Sequence, residues 1–408
     1  MEESRPPRAL CLMSTMTRRR PPRRAVLLLA ATLPLAAAGC ATGNTGLTRA
    51  ELAHHAAARG LPAERVVLPF AVDDEMRAWL GEEIDHHGRF PQRLELLLHA
   101  LLAPEERGVT YEPGFTGTAA EAFEQRRANC LGFTNLFIAL AREIGVPVYF
   151  LAVDEVEDFE KERDLVVVSR HVTAGYGPSH ELTVLEFSLG PNVDYRSLRK
   201  LDDVTAAALY YSNRGAELVR AGEIEEARRM LEVATGLDGE LPIAWVNLGV
   251  ALRRGNDLEG AELAYRRALE IDPRTPSAYH NLASLLQLRG REREADELLA
   301  EISRFGTRNP YNYLTLGDRA LERGELERAH RFYRKALRLY RDDPEPYAAL
   351  GRWAWEAGDP EAARLWLERA RRRGAENERV RELAGRLAPP RPARLPEPVP
   401  AWAGDGGG

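Results

Sequence analysis

Cys130 is the residue of this 408-residue chain whose type and setting could do chemistry. It directly follows Asn129, a good helix cap because its side-chain oxygen accepts a hydrogen bond from first-turn N–H groups. Behind it Phe133, Leu136, Phe137, Leu140 and Ile144 keep the 3, 4, 7 spacing of an apolar helix face, until Gly145 and Pro147 stop the pattern. A thiol that opens a helix feels the positive end of the helix dipole, which favours the nucleophilic thiolate. Such a thiolate attacks acyl carbon, and the Cys130 backbone N–H is a natural first donor to the resulting oxyanion. The competing reading is structural, because small buried cysteines are common. Other polar types are less well placed. His54-His55 and His86-His87 are adjacent pairs that diverge by about 100° on a helix, unlike the i, i+4 geometry that chelates zinc. The sequence contains no glycine-rich phosphate loop, and neither a metal nor a cofactor is expected.

The N-terminus carries a different signal. Residues 1–39 hold seven Arg against two Glu, and the basic stretch Arg18 to Arg24 runs into an apolar run from Ala25 to Ala38. Spanning hydrocarbon takes about 20 apolar residues, whereas a shorter run after basic residues fits a signal peptide. Met16 would begin a better-proportioned leader than Met1. The run ends in Ala37-Ala38-Gly39-Cys40, which resembles the lipobox cut by lipoprotein signal peptidase. That resemblance implies that residues 1–39 are removed and that Cys40 is lipidated. Ala41 at the next position implies the cell envelope, at the outer membrane facing the periplasm. Removing the leader takes +5 from a net charge of −6 and leaves −11, without a basic stripe, which argues against nucleic-acid binding. Of Cys11, Cys40 and Cys130, the last would then lack a disulfide partner in an oxidising compartment, a flag for reactivity or deep burial.

The elements that must position Cys130 read as follows. Residues 40–66 show little apolar periodicity and are expected to be a tether. Asp73 or Asp74 can cap a helix carrying Met76, Trp79, Leu80 and Ile84, and Pro91 suits the start of one carrying Leu94, Leu97, Leu98 and Leu101. Thr118 and Glu121 form a capping box for a short helix through Phe123. After the Cys130 helix the pattern turns to strands at Val148 to Val153, Leu165 to Thr173 and Glu181 to Phe187. One helix followed by consecutive strands implies an antiparallel α+β unit, here residues 67–200.

From Ala208 a period of 34 takes over. Trp245, Leu248, Gly249, Leu252, Ala261, Tyr265, Ala268 and Pro273 fill every signature position of a tetratricopeptide repeat. The same register gives Tyr211, Gly215, Ala227, Leu231 and Ala234 before it, and Tyr279, Leu282, Ala283, Ala295 and Leu299 after it. Tyr313, Gly317, Ala329, Tyr333 and Ala336 form a fourth unit, and Tyr347, Gly351, Ala363, Leu367 and Ala370 a fifth. Residues 201–377 are thus expected to be an all-α solenoid of five tetratricopeptide repeats. In residues 378–408 a polar capping helix precedes a Pro- and Gly-rich tail. Positions 2 and 5 of successive repeats, which line the concave face, read Leu209 and Ser212, Ile243 and Val246, Ser277 and His280, Tyr311 and Leu314, Glu345 and Ala348. This mixed apolar surface suits a protein segment, or packing against the cysteine domain.

The segment from Ala128 to Gly145 resembles the nucleophile helix of the transglutaminase-like superfamily, a papain-related fold in which a histidine and a carboxylate arrive on later strands. The resemblance covers about Leu68 to Lys200. It implies His171 as the histidine and Glu186 as the carboxylate, with Asp194 as the fallback and His180 as a weaker rival to His171. Cys130 would attack the acyl carbon, His171 would carry the proton to the leaving amine, and Glu186 would hold the imidazole tautomer. The expectation is therefore an envelope-anchored cysteine hydrolase or acyltransferase acting on amide bonds, its repeats recruiting a protein or peptide partner and its lipid meeting the membrane. The alternative is an inactive lipoprotein scaffold for protein-protein interaction.

Overall fold

The structure, a computed structural model, describes residues 12–17, 46–84, 88–103, 107–162, 165–178, 181–186, 198–305 and 309–388. It divides into two compact units, Met1–Phe305 and Gly306–Gly408. Cys40, His86, His87, His180, Asp194 and the C-terminal tail lie outside the described residues.

In the first unit, strand β1 (Leu12–Thr17) falls within the segment read as a leader and pairs antiparallel with a later strand. Helix α1 (Arg49–Ala57) lies within the stretch read as a tether. It is ordered because it packs: Leu52 and Ala56 are buried, and His55 Nε2 is 3.0 Å from the Leu237 carbonyl. Helix α2 (Asp74–Glu83) is capped by Asp73, and α3 (Phe90–Leu102) has Pro91 in its first turn. Their Met76, Leu80, Leu94, Leu97 and Leu101 are buried. Strands β2 (Thr110–Tyr111) and β3 (Arg127–Ala128) pair in parallel around α4 (Ala119–Gln125), which opens with the Thr118–Glu121 capping box. Arg126 ends α4 at φ 55°, a left-handed conformation uncommon outside glycine, and turns the chain into α5 (Cys130–Glu143).

The sheet follows, with β4 (Val148–Glu162), β5 (Leu165–Tyr176), β6 (Glu181–Glu186) and β7 (Leu198–Lys200). Its order is β1-β6-β5-β4-β7, every pair antiparallel. Strands β4 and β5 run beyond the limits suggested by apolar content, and their register shifts between Ala152 and Glu157. Along its far edge β5 pairs with β6 only from Ala174 to Tyr176.

The first three repeats belong to this same unit as α6 (Asp203–Ala221), α7 (Ile224–Leu237), α8 (Pro242–Arg254), α9 (Leu258–Ile271), α10 (Pro276–Leu288) and α11 (Glu292–Phe305). The expected boundary at residue 200 lies inside this unit, which runs to Phe305, and side chains of these helices bond to the sheet and to α5. Within a repeat, Gly249 of α8 lets α9 approach so closely that a Cβ there would overlap the Tyr265 ring.

The second unit holds α12 (Pro310–Glu322), α13 (Leu326–Leu339), α14 (Glu345–Glu356), α15 (Pro360–Gly374) and α16 (Glu378–Leu387). Val380 and Leu383 of α16 close the apolar face of the last repeat against Tyr347 and Leu367. Arg379 of α16 reaches back with both terminal nitrogens to Asp318, at 2.9 and 2.5 Å, while Tyr333 donates its hydroxyl to the same carboxylate at 2.9 Å.

Candidate functional site

Cys130 is a free, half-buried thiol at the mouth of α5. Asn129 caps the helix, its Oδ1 accepting the Gly132 N–H at 2.9 Å. The cap is itself held from two sides. Asn129 N–H donates to the Phe115 carbonyl at 2.9 Å, and Nδ2 donates to Thr116 Oγ1 at 2.6 Å. Thr116 in turn donates its hydroxyl and its N–H to Glu217 Oε1, at 2.5 and 2.8 Å. Glu217 comes from α6, in the first repeat, and its other oxygen accepts from Arg214 at 3.0 Å. Burial pushes the Glu217 carboxyl above the usual range, against the pull of its bonds to Thr116 and Arg214.

The opposite end of α5 is pinned to the same repeat helix. Arg142 forms a two-point ion pair with Asp203, at 2.7 and 2.9 Å, and both side chains are largely buried. Helices α5 and α6 thus run in opposite directions, with Asn129 at the mouth of α5 3.5 Å from Glu217 and Arg142 on Asp203. A cavity of about 840 Å³ lies at this Arg142 end, lined by Tyr149, Tyr176, Lys200 and Asp203 among others, and not at the thiol.

His171 sits on β5 and is buried, 5% exposed. The Thr134 hydroxyl lies 2.7 Å from the Cys130 carbonyl and 3.2 Å from the Val172 carbonyl. One proton is therefore shared between the first turn of α5 and the residue after His171, which brings the Cys130 and His171 segments side by side. Glu186 ends β6, one residue beyond the Ala174–Leu185 pairing. Its side chain, like the whole of Asp194, is outside the described part of the structure.

The outer edge of β5 is where the repeats act. Asn281 Oδ1 accepts the Val166 N–H and Nδ2 donates to the Val166 carbonyl, each at 2.8 Å. Asn247 treats Val168 in the same way, at 3.2 and 3.0 Å. Both amides are fully buried. They replace the strand that β6 does not supply here, answering groups that would otherwise be stranded without water. Asn247 and Asn281 are 34 residues apart, at position 6 of repeats two and three. Asn213 holds the same place in repeat one, but its buried Oδ1 has no hydrogen-bond partner among the described residues.

All ten residues read as lining the concave face are buried. Glu345 meets Arg379 at 3.2 Å, and the Tyr311 hydroxyl donates to Asp343 at 2.9 Å. The expectation of a partner lying on that face therefore meets positions already covered. The signal for this was the recurrence of asparagine at position 6, one place beyond the positions read from the sequence; Glu217 left no sequence signal.

Family models of the tetratricopeptide repeat match residues 213–276, 277–304 and 320–387, so the chain carries these repeats across that span. Among solved structures, the pilF protein of Pseudomonas aeruginosa is 24% identical over 45% of this chain and 83% of its own, with a TM-score of 0.39. TTC0263, a thermophilic TPR protein of Thermus thermophilus, is 21% identical over 44% of this chain and 98% of its own, at 0.38. YrrB, described as a TPR protein with an unusual peptide-binding site, is 16% identical over 44% of this chain and 92% of its own, at 0.32. None of the curated proteins compared matches the chain.

Proposed function

We propose that this chain is a protein-interaction scaffold built on its repeats, tethered to the envelope through a lipid on Cys40. One observation carries the reading: models of the tetratricopeptide repeat match residues 213–276, 277–304 and 320–387, and in those repeats Asn247 and Asn281 already hold an extended strand by its backbone. A groove with that chemistry takes extended polypeptide without reading side chains. Here it is filled by β5 of the same chain, so other proteins meet the faces left outside. The full chain and its Cys130→Ser form, cross-linked in cells, are expected to retain the same proteins at equal yield. Loss of retention in Cys130→Ser overturns the scaffold reading. For the tether, Cys40→Ser is expected to move the protein from the membrane fraction to the soluble fraction; an unchanged distribution rejects lipidation.

A second reading is favoured by the Thr134 bridge between the Cys130 turn and the His171 strand. In it the scaffold carries a transglutaminase-like thiol site. Cys130 Sγ attacks the carbonyl of an amide, His171 takes the thiol proton and returns it to the leaving amine, and water or an amine resolves the thioester. Peptide-resolved labelling with iodoacetamide at pH 6 tests this. Cys130 is expected to react much faster than an ordinary thiol, and the advantage is expected to vanish in His171→Ala. Slow labelling of both forms rules the site out.

A further inference from the structure

The repeats touch both halves of the Cys130–His171 arrangement, and each of the first three contributes one buried polar residue. Glu217 of repeat one holds Thr116, which holds the Asn129 cap of the helix that Cys130 opens. Asn247 of repeat two and Asn281 of repeat three hold Val168 and Val166, three and five residues before His171 on the same strand. Glu217 is 9% exposed and the two amides 0%. Between the two halves themselves runs the shared proton of Thr134. A shared hydroxyl proton is a weak constraint, whereas a buried carboxylate and two amides bonded at both ends are stiff ones.

We propose that the first three repeats are positioning elements of the Cys130 site, with Glu217 setting the helix mouth and Asn247 and Asn281 setting the strand that carries His171. The proposal rests on the thiol-imidazole reading above and extends it. The solenoid is then part of the site's framework, its helices fixing the relative placement of α5 and β5. Displacing either segment by a fraction of an ångström would separate sulfur and imidazole without unfolding the chain. Misplacement on that scale costs reacting groups heavily, since about 1 Å is enough for a 100-fold loss.

The test uses the full chain and iodoacetamide, with labelling read at the Cys130 peptide so that Cys11 and Cys40 do not interfere. Alkylation rates are measured from about pH 5 to pH 10 for wild type, His171→Ala, Glu217→Gln and the Asn247→Ala/Asn281→Ala pair, with circular dichroism and melting on each. Glu217→Gln is expected to stay folded and the alanine pair to melt at lower temperature, and both are expected to label about 10-fold to 100-fold more slowly at pH 6 and to drift toward the pH profile of His171→Ala. Should the alanine pair fail to fold, the single Asn281→Ser form, smaller but still polar, stands in for it. If the repeat variants lose stability but keep the wild-type pH profile while His171→Ala changes it, their role is structural and the positioning proposal falls alone. If His171→Ala itself keeps the wild-type profile, the thiol-imidazole reading falls and takes the proposal with it.

Discussion

Asn281 holds Val166 as a neighbouring strand would, receiving its N–H and returning an N–H to its carbonyl, both at 2.8 Å. The two residues are 115 apart in sequence. Their bond is one of several that join the sheet to the first three repeats within the first compact unit.

Asn281→Ala is expected to strand the Val166 N–H and carbonyl in an apolar setting, each costing about 1–3 kcal/mol. Because the sheet and the repeats share these bonds, urea unfolding followed by circular dichroism should show one transition of the first unit moving to lower denaturant. An unmoved midpoint would mean that water reaches the strand edge and the amide matters little.

Asp318 makes the second unit acid-sensitive. Burial pushes its carboxyl up, but the Arg379 guanidinium and the Tyr333 hydroxyl pull harder and hold it below its usual 3.8. A carboxyl depressed in the folded state stabilises fully above the unfolded value, and that contribution drains away as pH falls through the folded one. Melting between about pH 2 and pH 6 should therefore fall more steeply for wild type than for Asp318→Asn. At neutral pH the substitution removes the two-point partner of Arg379 and leaves it Glu345 at 3.2 Å, a loss of about 1–3 kcal/mol. Parallel pH curves for the two proteins would contradict this assignment.

Two glycines should respond in opposite directions to alanine. At Gly249 the new methyl group meets the Tyr265 ring, so Gly249→Ala forces α8 and α9 apart and costs about 1–3 kcal/mol. At Gly81, on the exposed face of α2, nothing lies within 4 Å, and alanine gains about 0.5–1 kcal/mol from reduced backbone freedom in the unfolded chain. Guanidinium unfolding of both variants checks the sign at each position; destabilisation at Gly81 would refute the open-space reading.

The parts of this protein legible in its sequence are the local ones. Asn129, Thr118 and Glu121 announce helix starts because a cap needs only neighbours within one turn. The period of 34 announces the repeats because each unit buries its face against the next by the same small-and-large pairing, as Gly249 does on Tyr265. The helix opened by Cys130 is legible on the same grounds.

What the sequence could not decide is what those elements face. Asn213, Asn247 and Asn281 fall in one column by periodicity, yet periodicity does not say that two of them grip β5 while the third leaves an oxygen unmatched among the described residues. Leu52 and Ala56 gave no apolar run long enough to separate a docked helix from a tether, and only packing made the difference. Glu217 reads as one more polar residue on a helix until the fold sets it against Thr116, 101 residues away. Local hydrogen bonds and helical spacing are written within a few residues of chain; the occupant of a groove and the neighbour of a buried carboxylate are fixed by which distant segments exclude water together, and that is decided only when the whole chain packs.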